Sequence, residues 1–230
     1  KATERARAKD ATDAEVAAAA GEAADAAEPA GKAQRNFTDP ESRMMKTNEG
    51  FHYAYNAQAV VDEHSQVILA AEVTQNAADV GELFDMVETA QANLAAADID
   101  NDLGVVLADA GYCSKDNLQK VAAGEVDMLI ATGRLRRSER VPAAPRGPIP
   151  KDATARERMA RRLRTKTGRA HYARRKVIVE PVFGQIKVKQ AGGMLRLRGL
   201  AGAQGEWTLH AICHNIRKLG NAQPPRTAAA

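Results

Sequence analysis

The stretch from Arg169 to Lys187 reads RAHYARRKVIVEPVFGQIK and sets one carboxylate inside a belt of cations. The acid is Glu180, and the cations are Arg169, Arg174, Arg175, Lys176 and Lys187. Val177, Val179, Phe183 and Ile186 give the same element a face to bury. A lone Glu among arginines is ordinarily their solvated partner and contributes little. The alternative is that Glu180 holds a divalent metal while the cations grip phosphates. That alternative needs a second acid at a strand end. Val105-Val106-Leu107-Ala108-Asp109-Ala110-Gly111-Tyr112 offers one: a short apolar run, suited to a strand buried on both faces, stops at Asp109.

Composition narrows the partners. With 230 residues the chain is long enough for one sizeable domain plus an extension. It is 27% charged with a formal net charge of +4, and the basic residues gather between Arg134 and Arg198. Such asymmetry points to a polyanion, most simply nucleic acid, with a solvated basic face as the competing account. Aromatic residues make up 4%, too few for a single-strand binder built on base stacking. Cys113 and Cys213 are the only cysteines, which fits a reducing cytoplasm rather than a disulfide scaffold. No apolar run approaches the ~20 residues of a membrane span. There is no signal peptide pattern, so a membrane is not an expected partner. The chain starts at Lys1 rather than Met, as a piece of a longer protein would.

In chain order, Lys1 to Arg35 is Ala-rich with Val16 but no Leu, Ile or aromatic residue. A helix there would have no apolar stripe to dock, so it reads as a linker, partly helical or disordered. Pro40 marks a turn, with Arg43 and Lys46 as exposed loop charges or phosphate contacts. Phe51 to Val61 and Gln66 to Thr74 alternate as strands and pair as a hairpin around Asp62-Glu63-His64-Ser65. Val80 to Ala97 has helical spacing, Gly104 to Ala108 is a buried strand, and Ser114 caps a helix from Lys115 to Ala123. Glu125 to Thr132 is a further buried strand. Prolines 142, 145, 148 and 150 then exclude regular structure, and a basic helix follows over Ala153 to Arg164. A helix crossing Pro181 must kink or begin there. Ala191 to Gly199 reads as a loop. Ala203 to Leu219 is a helix directing Trp207, Leu209, Ile212, Ile216 and Leu219 to a core. The expected class is α/β: a mixed sheet flanked by helices.

Tyr172, Arg175, Glu180 and Lys187 resemble the Tyr–Arg–Glu–Lys signature of bacterial insertion-sequence transposases with a DDE active site. Leu107-Ala108-Asp109-Ala110-Gly111-Tyr112 resembles the second-Asp motif of that family. The segment from Asn36 to Asp79 and the tail from Gly199 to Lys218 resemble its flanking regions. The resemblance runs from about Asn36 to Leu219. It implies a ribonuclease H-like fold, which opens with three antiparallel strands where only two are clear here. It implies a catalytic domain over residues 36–221, with a basic Pro-rich insertion at 133–168, a linker at 1–35 and a tail at 222–230. It also implies a bacterial, nucleoid-associated protein whose partners are transposon ends and target DNA, bound as a homodimer.

The implied chemistry is DNA cleavage and strand transfer with Mg²⁺, or Mn²⁺, held by acids. Asp109 and Glu180 stand as the second and third acids, both catalytic and metal-binding. The family's first acid lies on the strand before the hairpin, in Asp-Gly-Thr or Asp-Ser-Thr. Neither motif occurs between Lys1 and Gly50. The expected position is therefore upstream of Lys1, which would leave this chain's metal site incomplete and the chain inactive. Asp39, Asp62 and Asp79 are the internal alternatives, Asp79 reading as a helix cap. Tyr172, Arg174, Arg175, Lys176 and Lys187 are the expected DNA contacts. Arg175 to Glu180 is one residue longer than the family spacing and Lys176 has the expected distance, so either can be the functional cation. His210, Cys213 and His214 read as packing and capping rather than zinc, and Cys113 as a buried thiol. The competing function is a non-catalytic, basic DNA-binding or regulatory remnant of a transposase.

Overall fold

Among the described residues three two-stranded sheets carry the framework. The computed structural model describes residues 35–47, 50–99, 103–124, 126–133, 142–144, 146–190 and 193–222. The expected linker at residues 1–35 lies outside them except for residue 35, as do residues 134–141 and 145 of the expected insertion and 223–230 of the expected tail. Residues Thr38–Ala230 form one compact unit.

Strands β1 (Arg43–Thr47) and β2 (Gly50–Ala54) pair antiparallel from Arg43↔Ala54 to Thr47↔Gly50. Strands β3 (Asn56–Val61) and β4 (Ile68–Thr74) pair antiparallel, with an irregularity between Val60 and Val61. The single strand expected over residues 51–61 is thus two strands in two sheets. They part at Tyr55, whose hydroxyl donates to both oxygens of Asp39, at 2.8 and 2.9 Å. Residues 43–47, read as loop, are a strand because Met45 is buried against the unit while its neighbours face out. The expected hairpin of β3 and β4 is present. Its turn is tied by Asp62, whose Oδ2 accepts from Ser65 N at 2.7 Å, His64 N at 3.1 Å and Ser65 Oγ at 2.7 Å.

A 3-10 turn (Asp79–Gly81) leads into α1 (Leu83–Ala96), which buries Leu83, Met86, Val87 and Ala90. Strand β5 (Val106–Ala108) ends at Asp109, and a second 3-10 turn (Ala110–Tyr112) precedes α2 (Lys115–Ala123). Ser114 caps α2 as expected: its Oγ accepts from Asn117 N at 3.0 Å. Gly124 closes the helix in the left-handed region at φ 86°. Strand β6 (Met128–Ile130), fully buried, pairs parallel to β5. The chain is a mixed α/β protein.

Helix α3 (Ala155–Arg164) opens on a capping box between Thr154 and Glu157. Thr165 closes it and, through its Oγ1 accepting from Gly168 N at 3.0 Å, caps α4 (Lys166–Lys189). A side chain at Gly168 would strike the Arg162 carbonyl, so only glycine fits this corner. Helix α4 runs through Pro181. Proline cannot bond the carbonyl four residues back, that of Val177. Gln66 Nε2 takes that carbonyl instead, at 2.9 Å. Helix α5 (Gly199–Asn221) starts four residues earlier than its apolar pattern. Asp39 and Glu41 cover its first turn, accepting from Gly199 N and Leu200 N at 3.2 and 2.7 Å.

Cross-strand alternation separates two cores on opposite faces of the β3–β4 sheet. Ala57, Ala59, Ala71 and Val73 join Val182 and Ile186 of α4 and Ala203, Trp207 and Ala211 of α5, with Phe183 and Trp207 stacked at 5.7 Å. On the other face Val60 and Ala70 meet Met86 and Ala90 of α1. A third cluster joins α1 to β5, β6, α2 and α3. The structure corrects the expectation for α5: Trp207 is 3% exposed, but Leu209, Ile212, Ile216 and Leu219 face solvent. Val177, expected on the buried face of α4, is also exposed. Among the described residues no helix is long and apolar enough to cross a membrane.

Candidate functional site

Asp109 leaves the core where β5 ends. Its Oδ1 accepts from Gly111 N at 2.7 Å, which folds the following turn back over the strand end. A methyl group on Gly111 would meet that oxygen at 2.9 Å and Asp79 Oδ2 at 2.8 Å. The two carboxylates therefore face each other across Gly111. Asp79 is not the helix cap expected of it: Ala78 holds the cap position, with no side-chain bond. Asp79 Oδ1 instead accepts from Asn56 Nδ2 at 2.7 Å and Gln58 Nε2 at 2.9 Å. Asn56 and Gln58 point the same way because they stand two residues apart on β3. That spacing of two amides on a half-buried strand is the signal that could have located Asp79.

Tyr112 closes one wall, its hydroxyl donating to Gln58 Oε1. Burial, then the charges of Asp79, Asp109 and Glu82, push its phenol above the ordinary range, so it remains a donor. From the other side comes α4. Arg175 lines the same cavity as Asp79, Asp109 and Tyr112, with its guanidinium 5.8 Å from the ring centre of Tyr172. Burial pushes the Tyr172 phenol up; Arg175 pulls it back and Asp109 adds to the rise. Arg175 Nε is buried without a hydrogen-bond partner, a donor awaiting an acceptor.

The structure thus brings together Asp109, Tyr172 and Arg175 from the expected set and adds Asp79. The others stand apart from this cavity. Glu180 is exposed on α4 and is not among the cavity's lining residues. Arg174 is exposed and meets Glu63 at 3.5 Å. Lys176 and Lys187 are exposed. Of the other candidate acids, Asp39 holds Tyr55 and the start of α5, and Asp62 holds its turn. His214 is buried and bonds the Gln66 carbonyl at 2.9 Å, while Cys213 is exposed on the same helix. Among the described residues no group of three or more His, Cys, Asp and Glu is placed to hold a metal. The pair Asp79 and Asp109 offers carboxylate oxygens only, the donors a hard divalent cation takes.

Residues 2–216 match the family model described as transposase DDE domain. No curated protein and no solved structure matches the chain.

Proposed function

The chain belongs to the transposase DDE domain family, and from that premise we propose that it serves transposition by metal-dependent cleavage and transfer of DNA strands at insertion-sequence ends. The observation that carries this reading is Asp109 at the end of β5 with Arg175 facing the same cavity, its Nε unpartnered. A carboxylate that shares a cavity with a guanidinium whose Nε is unpartnered suits a phosphate approached by a metal. In this reading the fold is ribonuclease H-like, and Asp109 and Glu180 are the catalytic acids that would hold Mg²⁺ or Mn²⁺, which requires Glu180, exposed on α4, to be brought to the cavity. When bound, the metal would activate the attacking oxygen and stabilise the leaving one.

The chain's own groups do the positioning. Arg175 offers a planar fork of donors to phosphate oxygens, and the Tyr172 ring holds its guanidinium in place. The raised phenol of Tyr172 keeps its proton and donates alongside. Arg174, Lys176 and Lys187 face solvent, where they meet the DNA backbone as charges. Asp79 has one oxygen taken by two amides and orients Asn56 and Gln58 around the site.

Two observations favour the second reading, a DNA-binding remnant without cleavage: Glu180 stands outside the cavity, and one oxygen of Asp79 is already engaged by two amides. A strand-transfer assay with Mg²⁺ on residues 1–230, and on a longer polypeptide carrying a strand that ends in Asp ahead of Lys1, separates the two. The expected result is joining by the longer polypeptide alone, abolished by Asp109→Ala or Glu180→Ala without unfolding. Joining by residues 1–230 that is lost in Asp79→Ala would make Asp79 the first acid. No joining by either would leave the remnant.

A further inference from the structure

The outward face of α5 carries an apolar stripe open to solvent. Leu209, Ile212, Ile216 and Leu219 are 58%, 48%, 62% and 66% exposed. The buried stripe of the same helix is Ala203, Trp207, Ala211 and His214, and its first three residues pack against β4 and α4. With 3.6 residues per turn, the exposed stripe is centred about 165° round the helix from the buried one. It faces away from the unit's own cores.

The pattern of the stripe is that of a seam between two helices. Its steps are 3, 4 and 3 residues, the repeat that lets two helices interlock side chains along a narrow line. The residues beside it, Thr208, Cys213, Asn215 and Gly220, are all uncharged, in a chain that is 27% charged. Glu206 and Arg217 lie about 100° and about 120° from its centre. The buried centre of an interface is depleted in charge in the same way. The order Leu-Ile-Ile-Leu also reads alike from either end, with its midpoint at His214. An identical helix running the other way meets it with like sizes: Leu209 of each copy against Leu219 of the other, and Ile212 against Ile216.

We propose that α5 is a self-association surface: two copies of this chain pair through the stripe as antiparallel helices, without DNA, about a two-fold axis at the level of His214. The direction follows from the order of the residues. In a parallel pair each side chain meets its own copy, and two-stranded seams of that kind place a β-branched residue first and Leu second in each repeat. Leu209 and Ile212 stand in the reverse order. An antiparallel pair sets first positions against second ones, which the Leu-Ile-Ile-Leu order satisfies at every layer. It also brings opposite ends of the two helix dipoles together. A two-fold axis lets one self-complementary patch serve both copies. The axis carries one flank of the seam onto the same flank of the other copy, so the two exposed Cys213 thiols face each other. Four half-exposed side chains from each copy, with their flanks, cover on the order of 1,000 Å² in total, the low end for a specific interface. The pair is therefore reversible, and dilution leaves each copy folded. It uses no residue of the cavity that holds Asp79, Asp109 and Arg175, and so stands whether or not the chain joins DNA strands.

Sedimentation velocity on residues 1–230 without DNA, between about 1 μM and about 1 mM, reads the association. The expected result is a reversible, concentration-dependent dimer. Ile212→Lys and Ile216→Glu should each weaken it more than about 100-fold, because a charge is then buried unpaired at two symmetry-related places. Both positions are exposed in the single copy, and circular dichroism checks that both variants stay folded. Mixing the two variants in equal amounts should restore a dimer. Each introduced lysine then meets an introduced glutamate, and the two remaining isoleucines meet each other. In a parallel pair position 212 meets position 212, and the mixture would stay monomeric. A short bis-maleimide should link two copies of the parent chain, and Cys213→Ser should remove the link. A parent chain monomeric at every concentration, a dimer that either variant leaves intact, no recovery on mixing, or no link through Cys213 would each overturn the proposal. So would a longer polypeptide that is monomeric with Cys213 closed to maleimide, since a segment of the same chain would then cover the stripe.

Discussion

Gly111 is where the site is most easily broken. Two carboxylate oxygens lie within 3.0 Å of where its side chain would begin. Gly111→Ala must move Asp79 off its amides or Asp109 off the turn, so it should cost about 1–3 kcal/mol, as overpacking does. Chemical denaturation of the variant checks this, and an unchanged midpoint would refute the crowding. Tyr112 gives a pH signature. Its phenol is raised in the folded chain. The unfolded chain releases that proton near pH 10 while the folded chain holds it, so the stabilisation is complete below about pH 10 and is lost as pH rises beyond. The stability lost between about pH 8 and about pH 11 should be smaller in Tyr112→Phe than in the parent chain; equal losses would place the alkaline sensitivity elsewhere. Asp109 was legible in the sequence because an apolar run must end before a charge can surface. Asp79 was not. An acid ahead of a helix has a local explanation in capping, and the partners that claim it, Asn56 and Gln58, lie on a strand more than twenty positions away.

Helix α5 shows why an element can be read correctly and oriented wrongly. It carries two stripes at helical spacing. One is Ala203, Trp207, Ala211 and His214, which is buried; the other is Leu209, Ile212, Ile216 and Leu219, which is exposed. Hydrophobicity favours the second. Close approach favours the first, because alanines let the helix lie near enough to β4 for Gln204 and Asn215 to reach its backbone. Trp207→Ala should therefore cost about 3–5 kcal/mol, since the ring is buried against Phe183 and donates to Gln58 O at 2.9 Å. Ile216→Ala, at an exposed position, should stay within about 0.5 kcal/mol of the parent. Thermal melts of both variants decide which stripe is the core. Helix α2 was legible to the residue because its signals, Ser114 and Gly124, act within the helix itself. Passage of α4 through Pro181 was not, because the Val177 carbonyl finds its donor in Gln66 on the β3–β4 turn.

At the scale of the whole molecule, charge is the property the sequence gives most directly, and the fold sorts it. Arg175 is drawn into the cavity beside Asp79 and Asp109, whereas Arg174, Lys176 and Lys187 remain on the surface of α4. With a net charge of +4 and a cluster of cations on one long helix, association with duplex DNA should be weak and governed by counterion release. The logarithm of affinity should fall linearly with the logarithm of salt, and each phosphate contact removed should lower the slope by about 0.9. Replacing Arg174, Arg175 and Lys176 together by alanine should weaken binding to unrelated sequences alike, since phosphate contacts carry no base information. The single variants separate the layers: Arg174→Ala and Lys176→Ala act through the salt slope, and Arg175→Ala acts through the cavity, with a loss less sensitive to salt because a half-buried charge is less screened. Fluorescence anisotropy over a salt series on two unrelated duplexes measures all of this. Affinity that hardly changes between low and moderate salt, or losses confined to one duplex, would remove α4 as the DNA-facing element and leave Arg175 a partner for the acids alone.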